Sequence, residues 1–388
     1  MDSEIQRIHL NDLPDHFYIK ILNDKLRSDI FYKAVKNCGG KQIYLAKKLG
    51  VDRRRLQKWK NGTRFMPLKF LRKICLLTYT ELEYLEKNSI IGLKGDTYCR
   101  NCLTLKFPIQ INEEWAYFSQ IINTDGHISS NLKMIEIAND DIGVLEKIKT
   151  FLKSVGITEK SINQKKWNRG KYFKICNRSF VRLFCYIFNI KSGRKFDVVR
   201  ISDIIKISPK NVIASALQGA FDGDGFAVER TWRIGINSKS KNYMKDINEL
   251  LSVFGINSYF RGPDARGRYI CEITKYSNLK NFQDSIGFYN IKRRKKLGKI
   301  VSHLSKYPKY TGKEAQDIIL KKIKEHGSID VKKISSLIER SKETTNYHLI
   351  KLYNDGDLNR IKKGKKFIYS LPRNMKGVEN ERTYIARR

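Results

Sequence analysis

The amino-acid sequence predicts an α+β fold, with a central pseudo-twofold tandem αββαββα repeat between two smaller units. Two similar stretches, FSQIINTDG at 118–126 and LQGAFDGDG at 217–225, stand 99 residues apart, and each is predicted to be a helix that ends on a carboxylate. The segments that follow them agree in pattern, which indicates an internal repeat. The chain is also strongly basic, with 77 Lys and Arg against 39 Asp and Glu and a formal charge of +38.

Residues 1–90 are predicted to be a helical unit that contains a helix-turn-helix. In KQIYLAKKLGVDRRRLQKWKNG, Gly50 allows the turn and Asp52 can cap the second helix. An ordinary helical hairpin with a solvated basic face is the alternative. Residues 91–110 are predicted to be a linker. The second helix carries long donors that suit phosphates and base edges: Arg53, Arg54, Arg55, Gln57 and Lys58.

The two halves of the central repeat, 111–207 and 208–300, show the same succession of elements. Strand-like alternation of apolar and polar residues begins at Ile135 in one half and at Ile234 in the other. An apolar-periodic helix that ends on a glycine follows, then a hairpin, then an apolar helix. This agreement predicts that each half runs helix, two strands, helix, two strands, helix.

Residues 315–372 are predicted to be a winged helix, after a polar connector at 301–314. One helix precedes a second helix-turn-helix, and NRIKKGKKFIYSL is predicted to be the wing. A wing that contacts proteins is the alternative to one that contacts DNA. Residues 373–388 are predicted to be a mobile basic tail. The face of the third helix is predicted to offer Lys342, Thr345, Asn346 and His348.

The positive charge favours a polyanionic partner, most simply nucleic acid, over a merely lysine-rich proteome. The polar N-terminus and the lack of a long apolar run predict neither a signal peptide nor a membrane span. The seven scattered cysteines suit a reducing compartment, so a cytoplasmic, nucleoid-associated protein is expected. Cys99 and Cys102 form a CxxC pair, but no further zinc ligands lie nearby.

The two acid-ending helices are predicted to pack together about the pseudo-twofold axis. Gly219 and Ala220 would let the backbone of a partner helix approach closely. Asp125 and Asp224 would then emerge side by side, which is unfavourable for two like charges unless a cation lies between them. Oxygen ligands suit Mg²⁺, and two carboxylates with a metal in a basic trough can cleave phosphodiesters. Two Asp-Gly turns that merely end helices are the alternative.

FSQIINTDG and LQGAFDGDG resemble the paired motifs of the LAGLIDADG homing endonucleases, and the resemblance covers residues 111–300. The first motif departs from the pattern, with Gln120 and Thr124 where small residues are usual and Asn123 in place of an acid. The resemblance implies two curved antiparallel sheets that form a saddle over the DNA major groove. It also implies that two residues, Asp125 and Asp224, are the metal-binding catalytic acids.

The same resemblance implies further site residues. The carbonyls of Thr124 and Gly223 would face the metals. Basic residues near the ends of the repeats, Lys195, Lys292 and Arg293, would stabilise transition-state charge, with phosphate positioning or simple solvation as the alternative. Other basic residues on or near the hairpins are candidates for backbone and base contacts: Lys165, Lys166, Arg169, Lys171, Lys174, Arg261, Arg266 and Arg268.

The sequence therefore predicts a Mg²⁺-dependent, site-specific endonuclease of homing type that makes a staggered break in double-stranded DNA. Two repeats in one chain suggest a monomer, and no membrane or small-molecule substrate is expected. The start at Met1 and the ending IARR favour a free-standing protein over an intein. A transcription regulator on the same scaffold, which binds DNA without cutting it, and an intron RNA maturase are the alternatives.

Overall fold

The structure is a computed structural model. Contacts divide the chain into two compact units, residues 1–301 and 302–388. Only the backbone is described at 164–167, 170 and 171. The structure describes residues 4–97, 102–167, 170–194, 197–305, 312–364 and 366–372.

The N-terminal part of the first unit combines helices with two small antiparallel sheets. Its helices are α1 (Asp24–Asn37), α2 (Gln42–Leu49), α3 (Arg53–Lys60), α4 (Leu68–Thr78) and α5 (Leu82–Asn88). Its strands are β1 (Arg7–Ile8), β2 (Tyr18–Ile21), β3 (Met66–Pro67), β4 (Ile91–Lys94), β5 (Leu103–Leu105) and β6 (Ile109–Gln110). One sheet has the order β3-β2-β4-β5, and β1 pairs with β6 in the other.

The linker predicted at 91–110 is wrong, because this segment contributes β4, β5 and β6. Alternate apolar residues in β4 and β5 are buried, which a solvated linker would not do. The segment also joins the first repeat, since Asp96 forms ion pairs with Arg178 (3.3 Å) and Arg182 (2.8 Å). The N-terminal part is therefore packed on the repeat and is not purely helical.

A tight turn joins α2 and α3, in the segment where a helix-turn-helix is predicted. Gly50 lies between the two helices with φ +67°, a left-handed conformation that favours glycine. Asp52 then caps α3, because its Oδ1 accepts a hydrogen bond from the backbone N–H of Arg55 (2.7 Å). Leu56 and Trp59 are buried, so the remaining face of α3 is left to polar and basic side chains.

The central repeat has the αββαββα order in both halves, and the predicted fold class is confirmed. The first half contains α6 (Glu113–Thr124), β7 (Gly126–Ile128), β8 (Ile135–Asn139), α7 (Ile142–Ser154), β9 (Ile162–Trp167), β10 (Gly170–Ile175) and α8 (Arg178–Phe188). After the short α9 (Asp203–Lys206), the second half contains α10 (Lys210–Gly223), β11 (Gly225–Val228), β12 (Arg233–Ser238), α11 (Lys241–Ser252), β13 (Tyr259–Arg261), β14 (Tyr269–Ile273) and α12 (Tyr276–Ser285), and α13 (Ile291–Ser305) follows. The two sheets have equivalent antiparallel strand orders, β7-β8-β10-β9 and β11-β12-β14-β13.

Helices α6 and α10 cross in close contact at the centre of the repeat. A Cβ added to Gly219 would lie 2.5 Å from the carbonyl oxygen of Tyr117, which is shorter than a normal van der Waals contact. A Cβ added to Gly223 would overlap the hydroxyl of Thr124. The two glycines therefore set the distance between the helices, and they bring both C-terminal ends to the same place.

The segment that follows each repeat is fastened to the other repeat. Ser240, at the start of α11, donates a hydrogen bond from its hydroxyl to the carbonyl of Val199 (2.7 Å). Asp141, at the start of α7, accepts one from the backbone N–H of Ile291 (3.0 Å). The exchange ties the two halves together independently of the α6–α10 crossing.

The second unit combines three helices with a three-stranded antiparallel sheet. Its helices are α14 (Gly312–His326), α15 (Val331–Leu337) and α16 (Lys342–Asn354), and its strands are β15 (Ile329–Asp330), β16 (Asn359–Lys363) and β17 (Lys366–Ser370). The strands pair in the order β15-β17-β16, with β16 and β17 as the predicted wing. A compact apolar core, which includes Ile319, Ile334, Leu349 and Tyr369, holds helices and sheet together. Among the described residues of the chain, no helix is both long and apolar enough to cross a membrane.

Candidate functional site

Asp125 and Asp224 lie at the C-terminal ends of α6 and α10, directly after the contact between Thr124 and Gly223. The two ends are built alike. The N–H of Asp125 bonds the carbonyl of Ile121 (2.9 Å), and the N–H of Asp224 bonds that of Ala220 (3.1 Å). Asp125 is partly exposed and Asp224 is exposed, so a ligand can approach both carboxylates.

The charges of Asp224 and Arg293 both act on the carboxyl group of Asp125. The pKa of Asp125 is raised from 3.8 to about 7, chiefly by burial, and the charge of Asp224 acts in the same direction. Asn139 opposes this shift by donating a hydrogen bond to Oδ2 of Asp125 (2.6 Å), and the Arg293 charge also lowers the pKa of Asp125. Without a cation, the site therefore favours a proton on Asp125 near neutral pH.

The raised pKa of Asp125 predicts a pH-dependent loss of stability in the metal-free protein. Between pH about 4 and 7 the folded state binds a proton that the unfolded state has released. The free energy of unfolding should therefore fall as the pH rises from about 4 to 7, by about 1–2 kcal/mol for a partly exposed group. Urea titrations in EDTA at several pH values measure it. Asp125→Asn, which cannot titrate, should lack this component, and an identical pH dependence in the two proteins would contradict the assignment.

Arg293 is brought to the end of α10. Its guanidinium donates hydrogen bonds to the carbonyls of Phe221 (3.0 Å), Asp222 and Gly223 (2.9 Å). A cation at a helix C-terminus stabilises its negative end. The Gly223 carbonyl, predicted to face a metal, thus already accepts a hydrogen bond from Arg293. Lys292 instead extends toward Asp140, with 3.7 Å from Nζ to Oδ2, and is 74% exposed.

Asp222 is a site residue that the sequence analysis did not single out. It is fully buried and accepts hydrogen bonds from the Tyr117 hydroxyl (2.9 Å) and from the backbone N–H groups of Tyr289 (3.1 Å) and Asn290 (2.9 Å). Burial raises its pKa to about 6, although these donors and Arg293 act in the opposite direction. The available signal was an acid placed directly after the apolar Phe221 at the end of a buried helix.

The carboxylate pair fits a divalent cation that keeps part of its water shell. Among the described residues, no group of three or more His, Cys, Asp or Glu could hold a metal ion. Mg²⁺ needs less than that, because it commonly retains waters and binds through one or two carboxylates plus substrate phosphates.

The hydroxyl of Thr124 donates a hydrogen bond to the carbonyl of Gln120 (3.0 Å) in its own helix. Cys99 lies outside the described residues, and Cys102 is exposed.

The basic residues predicted on α3 are accessible. Gln57 is half-buried and bonds the side chain of Asn61 (2.8 Å). Arg55 lies 3.5 Å from the carboxylate of Asp52. The exposed residues of this helix are Arg53, Arg54, Arg55 and Lys58.

Three of the four predicted hairpin residues whose side chains the structure describes are paired with acids. Lys174 lies 3.6 Å from Glu136, and Arg261 lies 3.1 Å from Glu272, which Arg233 also contacts (2.9 Å). Arg268 is bonded to Asp264 (2.8 Å) within the β13–β14 hairpin, and Arg266 is exposed. Arg169 and Lys195 lie outside the described residues, as do the side chains of Lys165, Lys166 and Lys171.

The prediction that four residues lie on the exposed face of α16 is wrong for two of them. Thr345 is fully buried and bonds the carbonyl of Ser341 (2.8 Å), and His348 is 9% exposed. Together with Leu349 and Leu352 they form the buried stripe of the helix, at a spacing typical of a core-facing helix side. Lys342 is exposed and Asn346 partly so, and the exposed face also carries Tyr347 and Ile350.

Comparison with known families identifies the central repeat. Residues 112–188 and 211–287 each match the model of the LAGLIDADG-like domain. The matches begin and end with the observed αββαββα units, within a few residues. The centre of this chain is therefore a tandem LAGLIDADG-like domain, as the two motifs predicted.

Curated relatives share a segment with the chain. A probable translation initiation factor IF-2 of Methanocaldococcus jannaschii is 30% identical over 214 residues, which are 53% of this chain and 18% of that protein. The corresponding protein of Thermococcus kodakarensis is 28% identical over 181 residues, 45% of this chain and 15% of its own length. Elongation factor 2 of Methanopyrus kandleri is 28% identical over 124 residues, 32% and 10% respectively. The chain thus spans less than a fifth of these relatives.

Two solved structures are also similar. The homing endonuclease I-DmoI in complex with DNA and Mn is 14% identical, with a TM-score of 0.36, and the match covers 45% of this chain and 97% of that one. Full-length DUF199/WhiA from Thermatoga maritima is 13% identical, with a TM-score of 0.35, and the match covers 63% of this chain and 91% of that one.

Proposed function

We propose that this chain is a site-specific endonuclease of homing type, which binds double-stranded DNA and hydrolyses it to leave a staggered break. The observation that carries the proposal is the contact between Thr124 and Gly223, from which Asp125 and Asp224 emerge as neighbours. Two carboxylates kept this close to each other, in a chain of charge +38, suit a cation and a polyanionic substrate. No such pair is needed merely to end two helices.

The chain's own residues have distinct roles in this proposal. Asp125 and Asp224 would hold Mg²⁺ between the two helix ends. A bound Mg²⁺ polarises the scissile phosphate, promotes ionisation of water and stabilises the leaving oxygen. Asn139 fixes one oxygen of Asp125 through its 2.6 Å hydrogen bond, and Arg293 neutralises the end of α10 next to Asp224. Basic residues on the hairpins, such as the exposed Arg266, would hold the DNA backbone.

The flanking units would lengthen the recognised site. Helix α3 presents exposed arginines after a capped turn, and the helices and three-stranded sheet of the second unit suit a winged helix. Both arrangements commonly place a helix in the major groove. Because two repeats in one chain supply the pseudo-symmetry of a dimer, the protein would act as a monomer, in the cytoplasm where its DNA lies.

The curated relatives support a self-contained module. Their names describe unrelated activities, from translation factors to a glutamine–fructose-6-phosphate aminotransferase and an RNA polymerase subunit. The match covers between 10% and 28% of each of these proteins. That proteins with such different names each match part of this chain suits a transferable module, such as a homing endonuclease, better than any one of those activities.

The decisive experiment incubates the full chain with DNA that carries the sequence flanking its own gene, with Mg²⁺ or with EDTA. We expect a defined cut with Mg²⁺ only, and no cut in unrelated DNA of the same length. Gel mobility in the same mixtures measures binding. Tight binding without any cut in either strand would overturn the endonuclease.

A DNA-binding regulator on the same scaffold is the second candidate. The exposed α3 and the winged helix favour it, because both suit sequence-specific binding without chemistry. Binding to a promoter-like site without cleavage would support it. Preferred binding of intron RNA over duplex DNA would instead support a maturase.

A further inference from the structure

The loop of residues 286–291, between α12 and α13, is held by side chains from both repeats. From α10, Gln218 donates to the carbonyl of Ile286 (2.8 Å), and Asp222 accepts the N–H groups of Tyr289 (3.1 Å) and Asn290 (2.9 Å). From the start of α7, Asp141 accepts the N–H of Ile291 (3.0 Å). Three consecutive backbone donors thus bind two aspartates that are distant from each other in sequence.

These two aspartates are rigid anchors. Asp222 is fully buried and Asp141 is 6% exposed, so neither carboxylate can turn to solvent. The hydroxyl of Tyr117, on α6, donates a third hydrogen bond to Asp222 (2.9 Å). The ammonium of Lys147 lies 3.6 Å from the centre of the Tyr117 ring and 4.6 Å from that of Tyr289. The loop therefore has a fixed place relative to both crossing helices.

The 286–291 loop in turn fixes Arg293. The side chain of Asn290 accepts the backbone N–H of Arg293 (3.0 Å), as a cap on the first turn of α13. This places the guanidinium against the last carbonyls of α10, at Phe221, Asp222 and Gly223. Arg293 reaches the end of α10 only because the loop delivers the start of α13 to it.

We propose that Asp222 and Asp141 are positioning residues that act through Arg293. They contribute to cleavage by holding the 286–291 loop and Arg293 in place, and not by contact with DNA. The inference rests on the proposed function, since it concerns the geometry around Asp224. Asp222 aligns Arg293 with the end of α10, and Arg293 holds the Gly223 carbonyl in the residue before Asp224. Loss of either aspartate leaves Asp125 and Asp224 in place but removes the guanidinium of Arg293 from the end of α10.

A double-mutant cycle tests whether Asp222 acts through Arg293. Asp222→Asn keeps the size of the side chain but removes its charge, and its NH₂ group replaces one of the two oxygens that accept the N–H groups of Tyr289 and Asn290. Asp222→Asn and Arg293→Ala should each lower kcat about 10- to 100-fold, with the Kd for DNA changed less than about 3-fold. The double variant should be no slower than the slower single variant. Effects that multiply would overturn the proposal.

Asp141→Asn is the second variant, and it should disturb the fold less than Asp222→Asn does. Asparagine can still cap α7 through its oxygen, as Asp141 does for the N–H of Val144 (3.2 Å), while its NH₂ group loses Ile291. It should lower kcat and be non-additive with Arg293→Ala in the same way. Asp246→Asn is the matched control, because Asp246 is equally buried and binds Arg200, Lys206 and the N–H of Ile201. Its effect should multiply with that of Arg293→Ala.

Hydrogen exchange provides a readout that needs no cleavage. The amides of residues 289–291 should be protected in the wild-type chain, and at least one of those of Tyr289 and Asn290 should exchange at least about 10-fold faster in Asp222→Asn. Unchanged exchange would overturn the anchoring. If the wild-type chain does not cut DNA, the proposed function fails, and the exchange data still decide whether Asp222 holds the loop. If it cuts and the cycle is multiplicative, only the positioning role fails.

Discussion

Asp224→Asn and Asp125→Asn are each expected to reduce Mg²⁺-dependent DNA cleavage by a factor of about 10³ or more, because each removes one of the two charges that hold the cation. Asparagine keeps the shape of the side chain, so the helix crossing and the fold are retained. Binding to DNA should be unchanged or slightly tighter, since a negative charge beside the phosphates is removed. Single-turnover cleavage and mobility shift on the same DNA measure the two quantities.

The matched control for the two acids is Asp203→Asn. Asp203 belongs to the same unit, and its side chain is 95% exposed, so its neutralisation changes net charge without touching the helix ends. It should cut at the wild-type rate. If Asp125→Asn and Asp224→Asn both kept cleavage within about 3-fold of Asp203→Asn, the carboxylate pair would not be the reactive centre.

Gly219→Ala is expected to lower the free energy of unfolding by about 3 kcal/mol, near the upper end for an overpacked core. The new Cβ would lie 2.5 Å from the carbonyl oxygen of Tyr117, and a backbone atom cannot rotate away as a side chain could. The helices must separate, which also moves Asp125 away from Asp224 and should weaken cleavage. Urea unfolding followed by circular dichroism gives the stability change.

Gly298→Ala provides the comparison for that change. Gly298 lies within α13, and a Cβ built on it meets no atom within 4 Å. Alanine is the better helix former, so this variant should be more stable by about 0.5–1 kcal/mol. Equal stability of the Gly219→Ala and Gly298→Ala proteins would show that the crossing at Gly219 is not tight.

The repeat could be predicted from the sequence because its signals are local. Apolar alternation in β8 and β12 and the paired acid-ending helices need no distant partner to be recognised. The unusual residues of the first motif are accommodated by contacts that sequence does not show. The Thr124 hydroxyl lies where Gly223 has no side chain. Gln120 is buried and accepts a hydrogen bond from the hydroxyl of Tyr243 (3.0 Å), 123 residues away.

The elements that the sequence did not reveal depend on distant partners. Strand β4 spans four residues and pairs with β2, so its pattern is too short to distinguish it from a loop. Asp222 finds its donors on α6 and in the 286–291 loop, far along the chain. The burial of Thr345 and His348 is different, since their spacing to Leu349 and Leu352 already placed them on the apolar side of α16.

The exchange of trailing segments, Val199 onto Ser240 and Ile291 onto Asp141, has a consequence for how this protein could have diverged. A duplicated gene whose copies merely touched could drift as two separate proteins. Here the segment that follows each repeat is bound by a side chain of the other repeat, so neither repeat can lose that side chain without releasing a segment of the other. Substitutions in either half therefore have to preserve the contact with the other half, although equivalent positions such as Asn123 and Asp222 differ.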